Sequence, residues 1–221
     1  MSISLVVAVG LVWGGVLLFS MSTVYKLAPA LRNFPQPEPH LKGQRFWRRV
    51  VVTGLLSPVI AFGLTFILAD QLVFTRPVPW WKMLGDVFLI LFIYDFFYYF
   101  MHRYPFHQWK WMQKVHAVHH QSHRPIPIHA MHLHPVENFA GLGLLIFTIW
   151  LLGPVNIWSF AICFLVYSSL NILTHVGMDL KIPYLSMLSR DHDAHHKNMR
   201  SGNFSTLSPL PDIIFGTHEK S

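Results

Sequence analysis

The chain alternates long apolar runs with short polar ones. Residues 3–25, "ISLVVAVGLVWGGVLLFSMSTVY", carry no charge over about the length that crosses a bilayer core as a helix. A cleaved signal peptide would begin with a positive region. Residues 1–4 hold no basic residue, so an uncleaved first span is expected. A second run covers 50–68, and a third covers 83–101 and includes Asp86 and Asp95. Two more follow at 138–153 and 154–175, divided by Gly153-Pro154. The fourth run is short for a full crossing, so the last two are expected as a re-entrant or tilted hairpin. The pattern predicts an all-α, multi-span transmembrane helix bundle. Pro35, Pro37 and Pro39 mark an extended piece in the first polar loop.

Composition supports a membrane protein. Hydrophobic residues make up 52% and charged residues 12%, about half the charge of an average soluble domain. The mean hydropathy is +0.39. A single cysteine, Cys163, excludes an internal disulfide and a thiolate metal site. Charge also sets the orientation. Segment 24–49 carries six basic residues (Lys26, Arg32, Lys42, Arg45, Arg48, Arg49), whereas 69–82 carries two, Arg76 and Lys82. Basic loops stay in the cytoplasm. Counting spans from there places 102–137 and 176–221 on the cytoplasmic face as well. The net charge of +7 raises nucleic-acid binding as an option. No basic run with interleaved aromatics accompanies it, so no nucleic-acid partner is expected.

Thirteen of the fifteen histidines lie in 102–134 and 175–196. They form a histidine-rich helical head on one membrane face. "KVHAVHHQSH" (114–123) and "DHDAHH" (191–196) set His116, His119, His120 and His192, His195, His196 at i, i+3 and i+4. That spacing shares one helix face. Imidazole is a common neutral ligand for first-row metals. One such triplet could be ordinary polar helix; two on one face point to metal. His102 and His107 flank Pro105, which is expected to stop the helix near Tyr104 and turn His107 back towards the site. Asp95 precedes His102 by seven residues, on the same face and about 10 Å deeper. It is expected to fix a histidine by hydrogen bonding or through water, with a structural Arg or Tyr partner as the alternative. His175 ends the last apolar run, with Asn171 one turn earlier. His134 opens "HPVEN" before Pro135 and Glu137. Together ten histidines, including His134 and His175, would give two metals five nitrogens each. Asp95, Asn171 and Asp193 are expected behind the ligands. His123, His129 and His132 read as supporting or surface groups, and His40 and His218 as outside the site. Phe96, Phe97, Tyr98, Tyr99, Trp109 and Trp111 read as an entry lining or a membrane-interface belt. No nucleophile elbow, P-loop or dinucleotide glycine pattern occurs. H-E-x-x-H is absent, so a zinc protease would lack its base.

Seven pieces now carry a resemblance: "DFFYYFMHRYPFH" (95–107), "HAVHHQS" (116–122), "HPVEN" (134–138), "NILTHVG" (171–177), "HDAHH" (192–196), "GNFS" (202–205) and "PDIIFGT" (211–217). In this order they resemble the fatty acid hydroxylase/sterol desaturase superfamily over roughly 95–217. The resemblance implies an integral-membrane oxidoreductase with two non-haem iron ions, or zinc in purified protein. Such an enzyme would use O₂ to hydroxylate or desaturate a sterol, fatty acid, carotenoid or related lipid. Electrons would come from a separate cytochrome b5-like or ferredoxin-type protein. The implied ligands are His102, His107, His116, His119, His120, His192, His195 and His196. His175 matches an additional family histidine, and His134 matches that of the H-P-x-E piece. The chain would divide into 1–94, spans plus a basic loop, and 95–217, a catalytic region enclosing the hairpin 138–175. Two rival readings are a bis-histidine haem protein that moves electrons and a non-catalytic zinc-binding structural protein or metal transporter.

Overall fold

The computed structural model describes residues 2–34, 41 and 43–219. Seven helices form its frame: α1 Ile3–Leu27, α2 Gln44–Ile67, α3 Trp80–Met101, α4 Lys110–His116, α5 Pro135–Leu152, α6 Ile157–Leu173 and α7 Pro183–His195. Among the described residues, α1, α2, α3 and α5 are the four helices long and apolar enough to cross a bilayer. The molecule is an all-α multi-span bundle and an integral membrane protein. Pro35, Pro37, Pro39, His40 and Lys42 lie outside the described residues.

Span limits follow the apolar runs within three residues, except that α2 starts at Gln44 rather than 50. Arg45, Arg48 and Arg49 form its first turns. Arginine is a good helix former whose stem reaches out of an apolar layer. Pro135 opens α5, where a missing N–H costs nothing. Asn156 caps α6 by accepting the N–H of Trp158 at 2.9 Å. The 17 residues of α6 rise about 26 Å, short of a bilayer core of about 30 Å. α6 is therefore the shorter arm of the hairpin.

Two sets of loop contacts define the ends of the bundle. Val73–Phe74 pairs in parallel with Val155–Asn156. Asn156 Nδ2 donates to Arg76 O at 2.8 Å, and Trp150 Nε1 donates to Gln71 Oε1 at 2.7 Å. The α2–α3 connection and the α5–α6 turn thus share one end. At the other end, Arg32 bridges to Met178 and Asn33 Nδ2 donates to Asp193 Oδ2 at 2.7 Å. The basic segment after α1 therefore lies with the histidines, the relative placement that the basic-residue count requires.

Helices in lipid gain little from hydrophobic burial against one another, so close approach and polar contacts hold them. Gly10 on α1 sits against the Phe164 ring of α6 so tightly that a Cβ would overlap it. One turn away, Trp13 Nε1 donates to Ser169 Oγ at 2.8 Å. Several hydroxyls on the spans are satisfied locally: Thr65, Thr148 and Ser169 each donate to the carbonyl four residues back. Ile90 and Tyr94 of α3, Leu145 and Ile149 of α5, and Phe160 and Phe164 of α6 make the central seam. That seam leads towards the histidines.

Candidate metal centre

The segment after α3 does not stop at Tyr104. It continues as a wide π turn, His102–Phe106, with Pro105 inside. Proline has no N–H to place, and the wider turn moves its ring away from the carbonyl it would strike in an α-helix. The result brings the His102 and His107 rings to 5.0 Å between centroids. The first triplet is not on one helix either. His116 ends α4, while His119–Gln121 is a separate 3₁₀ turn. The second triplet lies on the last turn of α7, with His196 as its C-cap.

Among the described residues, nine buried histidines form two groups. His102, His107, His116, His120 and His195 make one; His119, His175, His192 and His196 make the other. Within each, one nitrogen per ring lies within 4.8 Å of all the others. The expectation of five nitrogens per site is corrected to five and four. Nor does each triplet face one site, as a single helix face would require. His116 and His120 join the first group and His119 the second; His195 joins the first, His192 and His196 the second. The groups touch, with the His120 and His196 rings stacked at 4.7 Å.

Hydrogen bonds behind the rings fix which nitrogen faces inward. Nδ1–H donates to a backbone carbonyl from His102 (Phe204, 2.6 Å), His107 (Met199, 2.9 Å), His195 (Gly202, 2.7 Å), His175 (Asn171, 2.7 Å) and His196 (Ser122, 2.7 Å). His116 Nδ1 donates to Glu137 Oε1 at 2.8 Å. A carbonyl can only accept, so the proton is on Nδ1 and Nε2 carries a lone pair. Yet Nε2 of His102 and Nε2 of His116 are 2.9 Å apart. Similar approaches, 2.9–3.0 Å, join His175 to His119 and His192, His192 to His196, and His120 to His195. The His107 Nε2 has no partner. Inward lone pairs at this spacing call for a cation. Two nitrogens about 2.1 Å from one ion and at right angles around it would stand about 3.0 Å apart. The residues present fit a metal in each group. Imidazoles packed this closely leave no slot for a porphyrin between any two of them.

Burial supports the same protonation state. It pushes the pKa of His107, His116, His119, His120, His192 and His196 below the ordinary histidine value, and that of His195 to about 3 and His175 to about 4. Neighbouring imidazoles depress most of them further. The rings are neutral at pH 7, the form that binds metal.

The carbonyls that hold His102 and His195 belong to one loop, 202–208, and two aspartates pin it. Asp212 accepts from the N–H of Phe204 and of Ser205, both at 2.8 Å, and from the Ser205 hydroxyl. Asp95 accepts from Thr206 N (3.2 Å), Leu207 N (2.8 Å), Ser208 N (3.0 Å) and Ser208 Oγ (2.6 Å). Asn203 takes a left-handed φ of 58°, which asparagine tolerates. Its Oδ1 accepts Glu219 N at 2.8 Å. A Cβ on Gly202 would overlap Thr217 O. Sequence reasoning used "GNFS" and "PDIIFGT" only as a pattern and gave these residues no task. A Gly-Asn pair followed by an aspartate nine residues after the asparagine was the available signal for a tight loop fixed by a carboxylate.

Several expectations need correction. Asp95 hydrogen-bonds the loop and not a histidine, because the chain folds 206–208 across its face of α3. Asp193 accepts from Asn33 Nδ2 rather than backing a ligand, and burial pushes its pKa up to about 7. Asn171 does stand behind His175, through its main-chain carbonyl. His134 lies in neither group. Its ring Nδ1 accepts from Val136 N at 3.2 Å and caps α5. His129 and His132 are buried rather than superficial. His129 Nδ1 meets Ser122 Oγ at 2.5 Å, behind the carbonyl that holds His196, and His132 packs on Phe46.

A cavity of about 50 Å³ adjoins the four-histidine group, touching His119, His175 and His192. Tyr94 and Tyr98 of α3, Glu137 and Asn138 of α5 and Tyr167 of α6 wall it.

Several known proteins are similar to this chain. A cholesterol 25-hydroxylase-like protein of Caenorhabditis elegans is 31% identical over 121 residues, 52% of this chain and 40% of the relative. Methylsterol monooxygenase 2-1 of Arabidopsis thaliana is 30% identical over 161 residues, 64% of this chain and 58% of the relative. Very-long-chain aldehyde decarbonylase GL1-6 of Oryza sativa subsp. indica is 30% identical over 161 residues, 65% of this chain and 25% of the relative. The chain thus spans from a quarter to just under three fifths of the length of these relatives. No solved structure matches. The fatty acid hydroxylase family model matches residues 87–217, a stretch that takes in both histidine groups, the loop that fixes them and the hairpin between them. With more than half of its length so matched, the chain belongs to the fatty acid hydroxylase family.

Proposed function

We propose that this protein is a membrane-bound di-iron oxygenase that hydroxylates or desaturates an unactivated C–H bond of a lipid. It would use O₂ and electrons from a separate carrier, with its histidine head on the cytoplasmic face. The observation that carries this reading is the pair of touching, all-nitrogen groups with their Nε2 lone pairs converging. In it His102, His107, His116, His120 and His195 hold one metal, and His119, His175, His192 and His196 the other. Iron bound there would supply the one-electron steps needed to reduce O₂ and attack an aliphatic carbon.

The chain's own residues set the conditions for that chemistry. Carbonyls of 202–204 and the Glu137 carboxylate hold the imidazoles in one tautomer and orientation and raise their donor strength. The buried seam of α3, α5 and α6 keeps bulk water from the site. The four-histidine group has one ligand fewer and adjoins the cavity, so the reacting carbon is presented there. Exposed Lys110, Lys114, Lys197 and Arg200 on the histidine end suit an acidic electron carrier such as a cytochrome b5-like or ferredoxin-type protein. The relatives' names range from a methylsterol monooxygenase to a very-long-chain aldehyde decarbonylase, which agrees with a lipid substrate in the bilayer.

The test is lipid analysis of cells with and without the gene, grown under ¹⁸O₂ or ¹⁶O₂, with metal analysis of the purified protein. Two metals per chain and an oxygen-dependent lipid product, both lost in His119→Ala, are expected. An intense Soret band in the purified protein, or an unchanged lipid profile, would overturn the proposal. Zinc alone in the preparation would not, provided the product forms in cells.

A further inference from the structure

The cavity beside the four-histidine group is small. About 50 Å³ admits the end of a lipid, a terminal functional group and the carbons next to it. Its α5 wall holds two buried polar atoms without a partner, Glu137 Oε2 and Asn138 Nδ2. Both residues are more than nine-tenths buried, at 7% and 6% exposure. Each side chain has its other polar atom engaged: Glu137 Oε1 takes the N–H of His116, and Asn138 Oδ1 accepts from Ser57 Oγ at 3.1 Å. Buried polar atoms are nearly always paired, and in a bilayer an unpaired one is more costly still. An acceptor and a donor on successive residues of α5 thus belong to the wall of a void that also touches three of the candidate metal ligands.

A hydroxyl is the smallest group that satisfies both. Its O–H donates to Glu137 Oε2 while its oxygen accepts from Asn138 Nδ2. An aldehyde accepts only, so it pairs with Asn138 Nδ2 but not with an ionised Glu137 Oε2. A methyl group satisfies neither. Gly141, one turn after Glu137, keeps the space open; a Cβ there would come within 3.3 Å of the Tyr167 hydroxyl. We infer that this cavity seats the hydroxyl of a lipid alcohol, gripped by Glu137 and Asn138, so that the carbons next to that hydroxyl lie at the four-histidine group. The inference rests on the proposed oxygenase function and narrows its substrate to lipids that already carry an alcohol near the carbon attacked.

Native mass spectrometry of the full-length, metal-loaded protein in detergent would test it with hexadecan-1-ol, hexadecanal and hexadecane as probes. The alcohol should bind about 10–100-fold more tightly than the alkane, with the aldehyde between them. Asn138→Leu should cut the alcohol's advantage about tenfold while both metals stay bound. Gly141→Val should abolish alcohol binding, again with both metals in place. Equal binding of alcohol and alkane by the wild type would make the two atoms a seat for water and overturn the inference. So would an undiminished preference in Asn138→Leu. The oxygenase reading fails separately. Two bound metals and oxygen-dependent lipid oxidation without an alcohol preference remove only this inference, whereas an alcohol preference in a chain that binds no metal removes the oxygenase.

Discussion

Asp95 Oδ1 accepts the backbone N–H of Leu207 at 2.8 Å, across 112 residues of sequence. Three further donors from Thr206 and Ser208 complete its coordination. The carboxylate acts on the metal centre at one remove: it pins the loop whose Phe204 carbonyl holds His102. Asp95→Asn keeps one accepting oxygen but turns an NH₂ towards backbone donors. Asp95→Leu leaves every donor unpaired, at about 1–3 kcal/mol for each one buried. Metal affinity should fall by less than about tenfold in the asparagine variant and by more in the leucine variant. A direct outer partner, by comparison, is worth about 10–100-fold. Metal titration of both proteins checks the order. Complete loss of metal in both variants would make Asp95 a ligand.

The fold was legible in the sequence because a bilayer demands long apolar runs, and five such runs mark five helices. Six of the nine clustered histidines were legible because imidazole at i, i+3 and i+4 is rare on a greasy chain. The division of each triplet between two sites was not. It depends on α4 ending at His116 and a 3₁₀ turn rotating His119 away from His120. Periodicity assumes that one helix continues and cannot see such a break. The role of 202–208 was hidden for another reason. Its contribution to His102 and His195 is made by carbonyl oxygens, which every residue carries. His134 misled because a histidine before a proline can cap a helix as readily as it can bind a metal.

His134 and His116 should therefore part company in experiment. His134 Nδ1 accepts from Val136 N at the start of α5. Loss of a cap costs about 0.5–2 kcal/mol. His134→Ala should lower the thermal midpoint slightly and keep both metals. His116 is a buried ligand candidate backed by Glu137, and His116→Ala should lose at least one metal. Metal counting by mass spectrometry decides; retention of both metals in His116→Ala would dissolve the five-histidine group.

Gly202 tests the loop without touching a histidine. Its carbonyl accepts from His195 Nδ1 at 2.7 Å, and an added Cβ would collide with Thr217 O. Thr217 O is backbone and not the end of a flexible side chain, so the backbone must shift. Gly202→Ala should weaken metal binding by about 10–100-fold, as loss of an outer partner does. Ser201→Ala, next to it, should leave metal affinity unchanged. Equal behaviour of the two would show that the loop carbonyl is dispensable.

Removal of metal should destabilise the protein well beyond the loss of one contact. Without a cation, inward nitrogens such as those of His102 and His116 face each other at 2.9 Å with both protons already used behind them. A ligand present at about 1,000 times its dissociation constant stabilises the folded state by about 4 kcal/mol per site. Exhaustive chelation in detergent should lower the thermal midpoint sharply, and ferrous or zinc ions should restore it. An unchanged midpoint in metal-free protein would mean that the imidazoles are held by packing alone.

The last prediction concerns sidedness. The bundle fixes which loops share an end: 73–74 with 155–156 at one, Asn33 with Asp193 at the other. It does not by itself say which end faces the cytoplasm. The basic residues predict it. Arg32, Arg45, Arg48 and Arg49 lie at the histidine end, while Arg76 and Lys82 flank the opposite loop. Lysine and arginine near span ends are retained in the cytoplasm. Trp109 and Trp111, both more than half exposed, stand at the histidine end as interfacial anchors would. Cysteine labelling with an impermeant maleimide reads the answer, because the native Cys163 is fully buried. Thr75→Cys and Gln108→Cys place exposed thiols at opposite ends. In intact cells Thr75→Cys should label and Gln108→Cys should not; opening the membrane should expose the second. The reverse pattern would turn the whole bundle over and put the metal centre outside. Labelling of both in intact cells would mean that the spans between them do not form a single sealed crossing.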